Sequence, residues 1–186
     1  MRVIGGTLKG RHLSAVRGGA VRPTTDKVRE AIFAILAPCL AGGSVLDLFA
    51  GTGALGIEAV SRGMGRAVFV DNSPQALVVL EKNVAVCELE SRTEIIRLPV
   101  ERGLRLLCSR NERFDLVFLD PPYQELLAGK TLVHISESGL LTPEGVIVAE
   151  HGPREPIASR CGTLLLDDQR RYGQTIVSFF FPQQSI

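Results

Sequence analysis

An Asp-Pro-Pro-Tyr tetrapeptide follows a run of apolar residues and has the composition of a site that holds an amine. The Asp120 carboxylate and the Pro121 carbonyl can each accept one hydrogen of an exocyclic NH2 group, which directs the nitrogen lone pair at an incoming methyl group. Pro121 and Pro122 restrict the torsions that aim this carbonyl, and Tyr123 can stack on a base. The pattern is typical of methyl transfer to an amino nitrogen, a reaction that depends on positioning. By itself, the tetrapeptide could equally end a strand and cap a helix.

A glycine-rich loop of the form G-x-G-x-x-G, residues 51–56, lies between a predicted strand and a predicted helix. Together with Asp71 after the next strand, it equally suggests a dinucleotide site. Asp47 favours a different ligand, because a carboxylate there repels a pyrophosphate but suits the ammonium and sulfonium groups of S-adenosylmethionine. We therefore expect S-adenosylmethionine as cofactor. The backbone of Gly51 and Gly53 would lie against its methionine and ribose, and Asp71 would accept from the ribose hydroxyls.

Other site classes lack their sequence signals. The four cysteines are far apart and no histidines cluster beside them, so we expect no metal site and reduced thiols. The first residues do not form a signal-peptide core. The longest uncharged run, residues 31–46, contains a proline and two glycines and is too short to span a membrane. We expect a cytoplasmic protein without a membrane partner.

Positive charge is concentrated at the start of the chain. Residues 1–30 hold seven basic and two acidic side chains, although the whole chain has a net charge of +1. Such a cluster suits a polyanion, because neighbouring charges add their attraction for phosphates. A solvated basic tail is the alternative that composition allows. Weak alternation around Gly5 and Gly6 predicts a hairpin arm, and we expect that removing residues 2–13 would leave folding and cofactor binding intact.

Hydrophobic periodicity predicts a single α/β domain after the arm. A chain of 186 residues is long enough for one core. Helices are predicted over residues 26–36, 54–62, 74–87, 100–108 and 126–138. Strands are predicted over residues 44–48, 67–70, 94–98, 114–119 and 146–150, with an edge hairpin over 163–167 and 175–181. Repeated βα units indicate a doubly wound, mostly parallel sheet.

Six segments spread over the whole chain resemble the RsmD family. They are Arg2 to Gly6, Lys9 to Arg11, Arg22 to Glu30, the glycine loop, Asp120 to Tyr123, and Arg171 to Gly173. The resemblance implies a Rossmann-like class I methyltransferase with a seven-stranded sheet whose last strand is antiparallel. It also implies methylation of a guanine N2 in small-subunit ribosomal RNA, with residues 1–21 as a basic arm and 22–186 as the catalytic domain.

The resemblance also implies roles for individual residues. The implied cofactor contacts are Asp47, Gly51, Gly53, Asp71 and Asn72. The implied catalytic residues are Asp120, Pro121, Pro122 and Tyr123. The implied RNA contacts are Arg2, Lys9 and Arg11. The usual Asp or Asn for the adenine is absent after the third strand, so the backbone of Val100, or Glu101, is expected to serve. We also place Arg29 among the RNA contacts. Its alternative is to close over the methionine carboxylate.

The expected partner is ribosomal RNA or an assembly intermediate of the small subunit, bound by a monomer. Three other functions remain open at this point. A DNA adenine-N6 or other amine or amide methyltransferase could share the tetrapeptide. A dinucleotide-dependent oxidoreductase would share the glycine loop but leave the tetrapeptide unexplained. A non-catalytic RNA-binding protein would keep the arm and bind no cofactor.

Overall fold

A computed structural model describes residues 1–16, 26–122 and 127–183. The helices are α1 (Asp26–Leu36), α2 (Ala54–Ser61), α3 (Pro74–Val86), α4 (Val100–Ser109) and α5 (Leu127–Ser138), with short 3-10 turns at Ala37–Cys39 and Glu90–Arg92. The strands are β1 (Ser44–Leu48), β2 (Arg66–Asp71), β3 (Thr93–Arg97), β4 (Phe114–Leu119), β5 (Leu141–His151), β6 (Arg160–Cys161), β7 (Leu164–Tyr172) and β8 (Thr175–Pro182). The alternation of helices and strands confirms the predicted α/β class.

The strands form one sheet in the order β3-β2-β1-β4-β5-β8-β7-β6. Strands β1 to β5 are parallel, whereas β8 pairs antiparallel with β5 and β7 pairs antiparallel with β8. The expected count of seven strands is one too low within the described residues. Arg160 and Cys161 add a two-residue strand beside Leu165 and Leu164, because the chain doubles back immediately before β7.

Helices cover both faces of the sheet. Helices α1, α2 and α3 pack with the arm on one face, and α4 and α5 pack on the other. Phe33 of α1 meets Phe118 of β4 with ring centroids 5.7 Å apart, which joins the first helix to the central strand. No described helix is both long enough and apolar enough to cross a membrane.

The turn between β1 and α2 explains two of the loop glycines. Gly53 has a φ of 76°, which disfavours other residues, and an added Cβ would meet the Leu80 side chain. At Gly56 an added Cβ would strike the ring of Phe69 in β2. These glycines bring α2 close to the sheet, so part of the motif serves packing as well as ligand approach.

The N-terminal arm is packed into the fold. It forms a short antiparallel hairpin with a bridge between Arg2 and His12, in which the Val3 and Leu13 N–H groups donate to the Arg11 and Met1 carbonyls at 3.0 and 2.9 Å. Val3 and Leu13 are 1% and 4% exposed. The buried Glu58 carboxylate of α2 accepts hydrogen bonds from the backbone N–H groups of Ile4 and Gly5, both at 2.7 Å. The expectation that residues 2–13 are dispensable for folding is therefore wrong, because the arm completes the core over α2.

Candidate active site

Three carboxylates meet at the carboxyl ends of three adjacent strands. Asp47 lies in β1, Asp71 ends β2, and Asp120 follows β4. The register pairs Leu48 with Val70 on one side and with Leu119 on the other. Asp71 and Asp120 therefore flank the glycine loop, at the sheet edge where open α/β folds bind ligands.

Asp71 holds the glycine loop through backbone hydrogen bonds. Its Oδ2 accepts from the Gly51 N–H at 2.7 Å, and its Oδ1 accepts from the Ser73 N–H at 2.8 Å. Each carboxylate oxygen can accept a second hydrogen bond, so the side chain can still bind a ribose hydroxyl. Asp71 thus has a role in shaping the loop that the sequence did not reveal.

Asp47 is buried below the loop, with 2% of its surface exposed. Its Oδ2 accepts from the Gly56 N–H at 2.9 Å in the first turn of α2. Burial raises the pKa of Asp47 well above 3.8, and the charges of Asp120 and Asp71 raise this pKa further, while the hydrogen bond from Gly56 opposes the shift. A cation bound beside these carboxylates would relieve the cost of ionising them.

The Asp-Pro-Pro segment begins where β4 ends. Burial raises the pKa of Asp120 to about 7. Pro121 is buried and Pro122 is exposed. The two proline rings restrict the backbone torsions on both sides of the Pro121 carbonyl. The predicted role of Tyr123 falls outside the described residues.

The raised pKa of Asp47 predicts how stability depends on pH. Between pH 3.8 and the higher folded-state pKa, the unfolded chain releases a proton that the folded chain retains. The free energy of unfolding therefore falls as pH rises through this window. We expect Asp47→Asn, which keeps an acceptor for Gly56, to melt about 2 °C or more above the wild type at pH 8 without cofactor.

Thermal melting of both proteins at pH 4, 6 and 8 tests this expectation. The difference between them should shrink towards pH 4, where the unfolded chain has released only part of the proton that the folded chain retains. Saturating S-adenosylmethionine should reverse the order at pH 8 by stabilising the wild type more strongly. The expectation would be contradicted if the Asp47→Asn protein melted below the wild type by the same amount at every pH.

The remaining predicted cofactor contacts lie along the same edge. Asn72 is exposed directly after Asp71, and Val100 is the first residue of α4, 8% exposed. Because β3 neighbours β2, the start of α4 lies near the end of β2. The structure places these residues around one edge, and their contacts with a cofactor remain predictions.

The predicted RNA contacts divide into two groups. Arg2, Lys9 and Arg11 are exposed; the Arg2 Nε lies 4.0 Å from Asp26 and the Arg11 Nη2 lies 3.5 Å from Glu88. Arg29 is only 1% exposed. Its Nη2 donates to the Arg2 carbonyl and to Asp26, at 2.8 and 2.7 Å, whereas Nε and Nη1 have no partner within residues 1–16, 26–122 and 127–183.

One residue that the sequence did not single out joins the arm to the loop. Asn83 of α3 is completely buried. Its Nδ2 donates to the carbonyls of Thr52 and Ser14 at 2.9 and 3.1 Å, and its Oδ1 accepts from the Ser14 N–H at 2.7 Å. The sequence signal for a buried polar contact was an asparagine on the apolar face of a predicted helix. Its hydrogen-bond partners could not be identified from the sequence, because they are distant along the chain.

In the part of the chain that the structure describes, no group of His, Cys, Asp and Glu side chains is close enough to hold a metal ion. In this arrangement the three aspartates offer negative charge and hydrogen-bond acceptors. Asp47 and Asp71 are joined to backbone N–H groups of the glycine loop and α2. Such a site attracts a cation and offers acceptors to hydroxyl and amino groups.

Comparisons with known proteins find a family model, relatives and a solved structure that match most or nearly all of the chain. A family model described as Conserved hypothetical protein 95 matches residues 1–181. A Bacillus subtilis protein named "Putative rRNA methyltransferase YlbH" is 42% identical over 180 residues, 97% of this chain and 98% of the relative. The Escherichia coli "Ribosomal RNA small subunit methyltransferase D" is 34% identical over 150 residues, 81% of this chain and 74% of the relative. The solved structure "Putative methyltransferase yhhF from Escherichia coli" has a TM-score of 0.85 at 30% identity and 98% coverage of both chains.

Proposed function

Because this chain belongs to the Conserved hypothetical protein 95 family and is a methyltransferase, we propose that it transfers a methyl group from S-adenosylmethionine to N2 of a guanine in small-subunit ribosomal RNA. Its fold is that of a Rossmann-like methyltransferase. The donor, the nitrogen that is methylated and the RNA substrate are the parts that this proposal adds. The names of the relatives support ribosomal RNA as the substrate.

The observation that carries the proposal is the group of three carboxylates around the glycine loop. Burial raises the pKa of Asp47 and of Asp120, and the charges of Asp120 and Asp71 raise the pKa of Asp47 further. Asp47 is the carboxylate that the ammonium and sulfonium groups of S-adenosylmethionine would neutralise, whereas Asp71 would bind the ribose and Asp120 the target amine. A dinucleotide would bring a pyrophosphate to the same carboxylates, which argues against the oxidoreductase alternative.

The chain's own residues would position the amine for direct transfer. Asp120 accepts one N–H of the guanine amino group and the Pro121 carbonyl accepts the other. The nitrogen lone pair then forms the new N–C bond while the bond between the methyl carbon and sulfur breaks. A proton leaves the nitrogen as the methyl group arrives or immediately afterwards. In this proposal Asp71 and Asn72 hold the ribose, and the start of α4 at Val100 lies against the adenine.

Basic residues of the arm would supply RNA affinity. Arg2, Lys9 and Arg11 are exposed and would contact phosphates, which position a nucleic acid without reading its sequence. Arg29 is too deeply buried to join them in this arrangement. Its other predicted role, closing over the methionine carboxylate, fits its burial and the two N–H groups that have no partner among the described residues.

Mapping of modified nucleosides tests the proposed reaction. Small-subunit RNA from a strain that lacks the gene should contain one unmodified guanine that the purified protein converts to N2-methylguanine, detected by mass spectrometry. Calorimetry should show binding of S-adenosylmethionine and none of NAD. A methylated adenine, or a methylated protein in place of RNA, would overturn the substrate assignment. Binding of NAD alone would overturn the cofactor assignment.

A further inference from the structure

The turn between β7 and β8 lies at the same edge of the sheet as the candidate site. Strand β5 runs parallel to β4, with Leu119 paired to Ala149. Strand β8 runs antiparallel to β5, with His151 paired to Ile176. The beginning of β8 and the end of β7 therefore come to the edge where Asp120 follows β4.

This turn carries an exposed arginine held towards its tip. The turn consists of Gly173 and Gln174, closed by the pair Tyr172 and Thr175. Gly173 has a φ of 65°, and its carbonyl accepts from the Arg171 Nε at 3.0 Å. Among the described residues Arg171 has no ion-pair partner, whereas the neighbouring Arg170 pairs with Asp168.

The arm and the β7–β8 turn lie on opposite sides of Asp120. The arm contacts Glu58 of α2 and Asn83 of α3, the helices that connect β1, β2 and β3. The turn lies beyond β5 and β8, three strand positions from β4. At about 4.8 Å per strand, this is roughly 14 Å from the strand that leads to Asp120, a distance that a few nucleotides can span.

From this placement we infer that Arg171 is a second phosphate contact for the substrate RNA, on the opposite side of the site from the arm. The inference rests on the proposed function. A base that reacts at Asp120 must leave its stack, so the RNA backbone has to continue along the sheet edge on both sides of it. Arg2 covers one direction, because the adjacent Met1 approaches Thr52 of the glycine loop, and Arg171 covers the other. Tyr172 packs against the core below the turn and keeps the position of Arg171 defined.

A pair of charge reversals at opposite edges of the sheet tests this inference. Arg160 of β6 is the matched control, because it is exposed, has no described ion-pair partner, and pairs with Leu165 near the start of β7. Thermal melting first confirms that both variants fold. Binding of a small-subunit ribosomal RNA transcript is then measured from about 50 to 200 mM KCl.

We expect Arg171→Glu to bind the transcript about tenfold more weakly, and its plot of log affinity against log salt to flatten by about 0.7 to 0.9. Arg160→Glu should bind as the wild type does, and Arg171→Lys should recover most of the affinity. Methyl transfer in a single turnover at saturating RNA should be unchanged in all three variants.

Equal weakening by both reversals, or wild-type binding by Arg171→Glu, would overturn the role of Arg171 and leave the proposed reaction standing. Failure of the proposed function is detected separately, because the wild-type protein would then methylate no guanine N2 of the transcript. A loss of saturated rate in Arg171→Glu would also overturn the inference, since a phosphate contact distant from the reacting atoms should affect binding alone.

Discussion

Asp120→Ala is expected to slow single-turnover methyl transfer by at least about a hundredfold, because the target amine loses a positioned acceptor. S-adenosylmethionine affinity should remain within about threefold of the wild type, as Asp47 and Asp71 keep their loop hydrogen bonds. Calorimetry and a rapid-quench assay measure the two quantities. Asp120→Asn keeps one acceptor oxygen without the charge and should retain more of the rate than the alanine variant.

The pKa of Asp120 adds a pH readout to this comparison. Burial raises that pKa to about 7, so the carboxyl is protonated and a poorer acceptor below this pH. In the wild type, kcat/KM for the donor should therefore rise as pH increases through about 7, since this ratio reports the free enzyme. The rise should be absent in Asp120→Asn. A methylation rate that hardly changes in Asp120→Ala, or an unaltered pH limb in Asp120→Asn, would show that Asp120 is not the acceptor.

Reversal of the three exposed arm charges, Arg2, Lys9 and Arg11 to Glu, is expected to weaken RNA binding at least about a hundredfold at low salt. Loss of three phosphate contacts should also flatten the plot of log affinity against log salt by about 2 to 3. Folding and cofactor affinity should be retained, because all three side chains are exposed. Filter binding across a salt series, with melting and calorimetry, provides the measurements.

A matched triple variant on the other face of the sheet controls for net charge. Arg102, Arg105 and Arg110 are exposed on or directly after α4, and their reversal should affect RNA binding much less. Equal losses in both triple variants would identify general repulsion rather than contact by the arm.

Deletion of residues 2–13 is unsuitable for the same question. It removes buried Val3 and Leu13, each worth about 1.5 to 3 kcal/mol, and takes two N–H donors from the buried Glu58. Together these losses approach the total stability of a typical domain, which is about 5 to 15 kcal/mol. The deletion should therefore unfold the protein or lower its melting temperature strongly.

The sequence by itself determined the order of the elements and the positions of the two motifs. Helix α1 and strands β1 and β4 begin and end where the hydrophobic pattern predicts. Both ends of β2 and β3 differ from the prediction by one residue, and in α2, α3 and α4 only the last residue differs, also by one. Strand β7 extends well beyond its prediction, because its polar residues Asp168 to Tyr172 are paired with β8 although no hydrophobic alternation marks them. Strand β5 begins five residues earlier than predicted, where Leu141 pairs with Phe114 before a shift in register. Local periodicity reports which face of a segment is buried, so it locates elements that have one apolar face.

Only the tertiary structure decided how these elements share their polar groups. Charge and alternation predicted a basic hairpin arm that is dispensable for folding, but Glu58 and Asn83 bind its backbone from helices more than 50 residues away. The structure also showed that Arg29 is buried, that burial raises the pKa of Asp47 and of Asp120, and that the charges of Asp120 and Asp71 raise the pKa of Asp47 further. Burial and electrostatic coupling depend on residues that are distant along the chain, and no local pattern records those distances.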